Sequence, residues 1–507
     1  MIAKITSAIP LGFEGCLVDV ESDMNRGLPA FNIVGMANKT VNESRERVRS
    51  AIVNSGFTFP DKKITINLAP ADLAKEGAYL DLPIALSILI LSKQLLPADT
   101  KNRLFVGELS LTGELRPVKG VINLVEIAKQ SGFEEIFVPI QNLSQASLVK
   151  DIAIFGVDNF KNLFLHLKHQ SVLTQAKTPP ILAHNPQNHS LTTTTTLDHI
   201  RGQKIAKRAI EIAIAGHHNL LISGPPGAGK TLIAKAAANL LPDLSTEEKI
   251  AITKLYSIAG LATDDTIETR PFRSPHHTAS PTSIIGGGGN ASPGEISLAH
   301  KGILFLDEIP EFSRSLLEAL RQPLEDKAIT ISRTHCKVTY PADFMLIATM
   351  NPCPCGYFGD PTHECKCTTT QIQNYQKKLS GPLFDRIDMN ITVEKVKNTD
   401  LLKPQITDTD EHNVVKNTIK IALERQKNRF NQSGKFNSSL SSFEVSNLLE
   451  LSPEAQKILQ SASEKLNLSA RSYFKVIKVA QTIADLAESD IIQAPHIAEA
   501  LNFRQRS

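Results

Sequence analysis

The residues Gly224-Pro225-Pro226-Gly227-Ala228-Gly229-Lys230-Thr231 follow the apolar run Asn219–Ser223 and lead into Leu232-Ile-Ala-Lys-Ala-Ala-Ala238. Apolar strand, glycine-rich loop and helix in that order make a phosphate-binding loop. The glycines let the backbone curl so that its N–H groups point inward. The helix start adds a positive dipole end, and Lys230 supplies a full charge. Thr231 is placed to hold a magnesium ion, so the motif predicts binding of ATP with Mg2+.

A second apolar run, Gly302-Ile-Leu-Phe-Leu-Asp307-Glu308, reads as a buried parallel strand ending in two acids, a Walker B strand. Asp307 would accept from magnesium-bound water and Glu308 would polarise the water that attacks the γ-phosphate. The alternative is a pair that merely caps the next helix. Asp343–Met350 is another buried strand, and Asn351 at its exposed end suits a sensor of the γ-phosphate or, more plainly, a turn before Pro352. Arg386, after the tight turn in Leu379–Asp385, is the expected trans-acting arginine finger, with Arg321 as competitor and pairing to Asp385 or Asp388 as the structural alternative. Arg471 opens a helix expected to run to about Glu488 and reads as a second sensor touching nucleotide.

These side chains need a large scaffold. At 507 residues the chain should hold roughly three domains. Hydrophobic content of 41% and charged content of 21% are ordinary for a soluble protein. The longest apolar run, Leu82–Leu91, covers about half a membrane span, so no transmembrane helix is expected. No signal peptide is evident at the N-terminus. Six cysteines, four of them between positions 353 and 367, do not make a disulfide scaffold, and a reducing cytoplasm fits best. A net charge of +3 leaves any nucleic-acid contact to local patches.

The stretch 168–196, with Pro179-Pro180 and five threonines ending at Thr196, reads as a linker. It divides the chain into an α/β domain (1–167), an ATPase core (197–396) and, past a weaker boundary near Val396, a helical lid (397–507). In the first domain, strands are expected at Cys16–Val20 and Lys63–Asn67 and a helix at Val41–Asn54. Lys75–Ala85 and Gly107–Val118 resemble the proteolytic domain of Lon-type proteases, which implies a ribosomal-protein-like α/β fold. Tyr79 and Ile122 stand where that family has its Ser and Lys. The resemblance therefore implies a scaffold or substrate-docking domain, not a protease.

The phosphate loop, Arg270-Pro-Phe-Arg-Ser-Pro-His276-His277-Thr, Leu-Phe-Leu-Asp-Glu, Arg321-Gln-Pro-Leu-Glu-Asp and Ser-Gly-Pro-Leu-Phe-Asp-Arg together resemble the magnesium-chelatase-like AAA+ ATPases of the ComM/YifB family. Gly27–Gly35 and Ile66–Asp72 extend the resemblance into the front domain. It implies a homo-hexameric ring acting on single-stranded or branched DNA, with branch migration in its competence-linked members. A chelatase-type or protein-remodelling motor is the alternative. Lys327 departs from the Gly expected after Leu-Glu-Asp.

Cys353, Cys355, Cys365 and Cys367 form two Cys-x-Cys pairs that suit a structural Zn2+ ion, the alternative being four free or redox-active thiols. For DNA, Ala328–Tyr340 reads as a hairpin carrying Arg333, His335 and Lys337, and Lys416–Lys435 holds six basic residues against Glu424. Either is equally readable as a solvated face. His276 and His277 lie in a Pro- and Gly-rich stretch expected to be a mobile pore insertion, their rings expected to point apart and not to ligate metal.

Overall fold

The computed structural model describes residues 2–35, 39–71, 75, 78–176, 195–262, 266–288, 291–332, 337–360, 363–395, 410–432 and 434–504. Its centre is a five-stranded sheet in the spatial order Phe272–Arg273, Ile303–Leu306, Met345–Met350, Leu220–Ser223, Met389–Thr392, with every neighbouring pair parallel. Side chains alternate between faces along a strand. Leu220, Ile222, Ile303, Phe305 and Ile347 enter one core with the helices Lys204–Gly216 and Lys230–Ala238. Leu221, Leu304, Leu306, Leu346 and Ala348 enter a second core with Leu255, Leu316 and Leu383. Burial on both faces explains why these strands read as unbroken apolar runs.

Leu220–Ser223 has Met345–Met350 on one side and Met389–Thr392 on the other, so the order of strands reverses at its end. Open parallel sheets hold ligands at such a point, beyond the carboxyl ends of the strands. The phosphate loop leaves the sheet there.

Helices Glu411–Phe430, Pro453–Lys465, Ala470–Leu486 and Ala494–Asn502 pack on the first of these cores. Two begin with serine caps, Ser452 accepting from Ala455 N–H and Ser469 from Ser472 N–H. The predicted helix from Arg471 is thus Ala470–Leu486. The boundary near Val396 falls outside the described residues.

Among the described residues the front region contains two four-stranded sheets and a two-stranded ladder of Glu108–Leu109 with Leu115–Arg116. The first runs Ile2–Leu11, Glu14–Asn25, Lys63–Ala69, Ala30–Val34, antiparallel except for its last, parallel pair. The expected strands at Cys16–Val20 and Lys63–Asn67 lie within it, and the expected helix is Lys39–Asn54. The apolar run Leu82–Leu91 belongs to a helix, Asp81–Leu91, buried along its whole length. No helix among the described residues is long and apolar enough to cross a membrane. The second sheet joins Arg103–Phe105, Glu135–Pro139 and Ala153–Val157 in parallel and adds Thr174–Gln175 antiparallel. The start of the expected linker is therefore still part of a sheet, while residues 177–194 lie outside the described ones.

The front region rests on the parallel-sheet region through the helix Thr246–Ala259. Lys254 pairs with Glu126 and lies over the ring of Phe13 at 4.2 Å, and Gly120 N–H donates to Ser257 Oγ at 3.0 Å. Gly12, with φ +61°, packs so tightly on Val338 that a Cβ would stand 2.0 Å from its Cγ1.

Candidate nucleotide and metal sites

The strand Leu220–Ser223 ends against Gly224, whose N–H donates to Met350 O at 3.2 Å. A Cβ on Gly224 would meet Val393 O at 2.4 Å, so the strand edge itself demands glycine. Gly227 and Gly229 have φ +76° and +84°, left-handed values that cost glycine nothing. The turn delivers Lys230 as the first residue of a helix.

Lys230 Nζ donates to Gly224 O at 2.6 Å, Pro225 O at 3.1 Å and Asn351 Oδ1 at 2.9 Å. Burial draws the ammonium below its ordinary pKa, and Asp307 and Glu308 oppose the shift. Thr231 Oγ1 donates to Asp307 Oδ2 at 3.0 Å. The two groups expected to share a magnesium ion thus face one another, and Asn351, expected as the sensor, lies on the lysine. Thr349 was missed. Its hydroxyl donates to the second oxygen of Asp307 and accepts from Glu308 N–H at 3.0 Å, fixing both acids. A hydroxyl in the otherwise apolar strand Met345–Met350 was the signal. Glu308 has φ +52°, a left-handed value uncommon for a non-glycine residue, which turns the chain sharply after the strand.

Arg386 and Arg471 are not among the partners of Lys230. Arg386 Nη2 pairs with Glu325 at 2.5 Å, its Nε donates to Arg321 O at 3.1 Å and its Nη1 to Pro382 O at 2.6 Å. Arg471 pairs with the other oxygen of Glu325. The carboxylate holds below its usual range because both guanidinium groups bond to it against the cost of its partial burial. The alternative partners of Arg386 are taken elsewhere: Asp388 binds Lys475 at 2.7 Å, and Asp385 lies 4.0 Å from Arg504. Arg321 pairs with Glu318. Both expected arginines, with Lys327, Asp343 and Lys475, line a polar cavity of about 150 Å³. Nothing local in the sequence marked Glu325 as their common partner.

The ligand atoms of Cys353, Cys355, Cys365 and Cys367 all lie within 4.8 Å of one another. Sγ separations are 3.3 Å for Cys353 and Cys355, 3.7 Å for Cys353 and Cys365, and 3.6 Å for Cys355 and Cys365. Tetrahedral zinc–thiolate bonds of about 2.3 Å place sulfurs about 3.8 Å apart, so the four fit one ion. Phe358 N–H points at Cys353 Sγ at 3.3 Å.

The histidine expectation needs correction. The rings of His276 and His277 lie 4.2 Å apart, tilted by 32°, instead of pointing apart, and the Thr278 hydroxyl lies 2.8 Å from His276 Nδ1. Among the described residues neither belongs to a metal-binding group. The following segment forms a short helix, Pro281–Ile285, and a ladder of Gly286–Gly287 with Ser292–Pro293. Ala328–Ser332 and Lys337–Pro341 pair antiparallel as the expected hairpin, with Arg333 and His335 outside the described residues. Ile122 is fully buried, and burial pushes the Tyr79 phenol up to about 12, so neither position offers a nucleophile or a base.

Family comparison agrees with this layout. Residues 196–401 match the magnesium chelatase subunit ChlI family, 20–142 the subunit ChlI of Mg-chelatase, and 410–504 the ChlI C-terminal region. The chain is 41% identical to competence protein ComM of Haemophilus influenzae over 99% of its own length and 97% of that protein. It is also 41% identical to YifB of Escherichia coli over 97% of the chain and 95% of the relative. Similarity to the magnesium-chelatase 67 kDa subunit of Chlorobaculum parvum is 26% over 30% of the chain and 23% of that subunit. With its parallel sheet, phosphate loop and helical C-terminal region, the chain belongs to the magnesium-chelatase-like ComM/YifB family of AAA+ ATPase-like proteins.

Proposed function

We propose that this protein is an ATP-hydrolysing motor that acts on single-stranded or branched DNA as a homo-hexamer, in the manner of a branch-migration helicase. The carrying observation is the convergence of Lys230, Thr231, Asp307 and Asn351 at the strand-order reversal, with Arg386 and Arg471 gathered apart from them on Glu325. The name of the Haemophilus relative, competence protein ComM, supports a competence-linked role. The three regions (1–167, 197–396 and 397–507) act as docking domain, motor and lid.

When bound, Mg2+ supplies charge neutralisation for the phosphates. Thr231 and Asp307 would hold it, Lys230, now on the carbonyls of Gly224 and Pro225, would neutralise phosphate oxygens, and Asn351 would keep that ammonium aimed. Glu308 orients the attacking water. Arg386 of a neighbouring subunit neutralises charge developing on the transferred phosphoryl group, and Arg471 follows it to the same phosphates, so hydrolysis depends on assembly. Zn2+ at the four cysteines is structural, since four protein ligands leave no open position.

ATP turnover measured alone and with single-stranded, duplex or branched DNA, with Lys230→Ala as blank, tests this reading. Stimulation by DNA that is lost in the variant supports it. Turnover indifferent to every DNA favours the second reading, a chelatase-type or protein-remodelling motor, to which the magnesium chelatase match points.

A further inference from the structure

The cysteine loop lies against the phosphate loop. Gly356 has φ +85°, and a Cβ there would stand 2.6 Å from Pro226 Cδ and 3.9 Å from Asn351 Cγ. Asn351 sits at the entrance to the same loop and accepts from Lys230 at 2.9 Å. On the far side, the helix Thr369–Gln376 reaches back, Gln376 Nε2 donating to Pro352 O at 3.4 Å. A cavity of about 1060 Å³ is lined jointly by Gly224 and Pro225 of the phosphate loop and by Pro352, Phe358, Gly359 and His363 of the insertion.

The insertion has little core of its own to hold this position. Cys353 is fully buried, whereas Phe358 remains 51% exposed. A segment so poor in buried apolar surface gains its shape from cross-links, and metal binding supplies that free energy directly. The four sulfurs can cross-link the loop, beside the stacked rings of Tyr357 and His363.

We propose that zinc held by Cys353, Cys355, Cys365 and Cys367 positions the ATP site: it seats Gly356 against Pro226 and Asn351 against Lys230, so that nucleotide affinity depends on zinc occupancy. The inference rests on the reading of Gly224–Thr231 as an ATP site. Gly356 and the four cysteines are then positioning residues. A loop that loses its metal releases Pro226, so the phosphate loop is no longer preorganised and nucleotide binding must order it first.

The test uses the full-length protein, its zinc content by elemental analysis, and titration with a fluorescent ATP analogue in the presence of Mg2+. Circular dichroism follows the fold throughout. The expected result is one zinc per chain, a loss of affinity of about tenfold or more after stripping with a strong chelator, and recovery when zinc returns. Cys365→Ser with Cys367→Ser should reproduce the stripped state. Gly356→Ala, which adds a Cβ 2.6 Å from Pro226 Cδ and strains the left-handed turn beside Cys355 while removing no thiolate, should keep its zinc yet bind the analogue weakly. A protein that carries no zinc overturns the proposal, as does a folded, stripped protein that binds the analogue as before. So does a Gly356→Ala variant with unaltered affinity. Unweakened binding by Lys230→Ala would instead overturn the ATP-site reading beneath it.

Discussion

Arg386 and Arg471 meet on the two oxygens of one carboxylate, that of Glu325, although they come from a turn after the cysteine insertion and from a C-terminal helix. A carboxylate between two guanidinium groups occupies the place an anion would take. Arg471 remains 51% exposed there. Both cations thus converge on one anion, apart from the partners of Lys230.

If these arginines serve a neighbour, defects should complement. Arg386→Ala is expected to lower turnover by about 10³-fold or more while leaving nucleotide binding intact. Mixing it with Lys230→Ala protein should then restore part of the activity, since some interfaces regain both halves. Turnover no greater than the sum of the two separate proteins would place Arg386 in its own subunit's site.

Asn351 should separate binding from chemistry. Asn351→Ala removes one of three acceptors from Lys230 but leaves both carbonyls in place. The expected outcome is analogue affinity within a few-fold of the parent and turnover reduced about 10²-fold. Equal losses in both would reassign Asn351 to simple binding.

The C-terminal helices contain a buried pair whose removal should be costly. Asp485 is fully buried and receives Arg429 at 3.0 Å, Asn437 Nδ2 at 2.8 Å and Gln481 Nε2 at 3.0 Å. Arg429→Ala leaves the carboxylate without its cation, a change of about 3–5 kcal/mol. The thermal midpoint should fall by several degrees, and an unchanged melting curve would refute the assignment.

Acid should weaken the fold before its carboxylates titrate. Burial holds His300 and His217 down to about 4 each, and Lys301 adds to the effect on His300. Above pH 6.5 both folded and unfolded chains carry them neutral. Between about pH 6.5 and 4 the unfolded chain takes up protons that the native chain refuses, so stability falls as pH drops and levels off below 4. The limit is on the order of 3 kcal/mol for each histidine. His300→Asn should flatten the slope of stability against pH across that window, and an unaltered slope would exclude His300 as its source.

The hairpin makes a claim about salt. Lys337→Ala should reduce the slope of log affinity for DNA against log salt by about 0.9 if that ammonium meets a phosphate, and leave it unchanged if it only faces solvent.

What could be read beforehand followed from distance along the chain. The phosphate loop, the Walker B strand and the Asn351 strand are continuous segments, and their apolar runs announce strands buried on both faces. Arg386 and Arg471 were visible as arginines in suggestive places, yet their meeting on Glu325 depends on how the lid folds back, which no local pattern encodes. Gly356 lies far from Pro226 along the chain, and only tertiary packing makes them neighbours. The start of the expected linker was misleading because Thr174–Gln175 joins a sheet edge, where backbone pairing asks little of side-chain type.

The helix Thr246–Ala259 gives the front region a further part to play. With Lys254 clamped between Glu126 and Phe13, and Val338 filling the space left by Gly12, that region covers apolar and charged surface of the parallel-sheet region that would otherwise face water. A version begun after residue 196 would bare this wall beside the hairpin and become sticky, so separating the pieces for biophysics calls for repolarising it first.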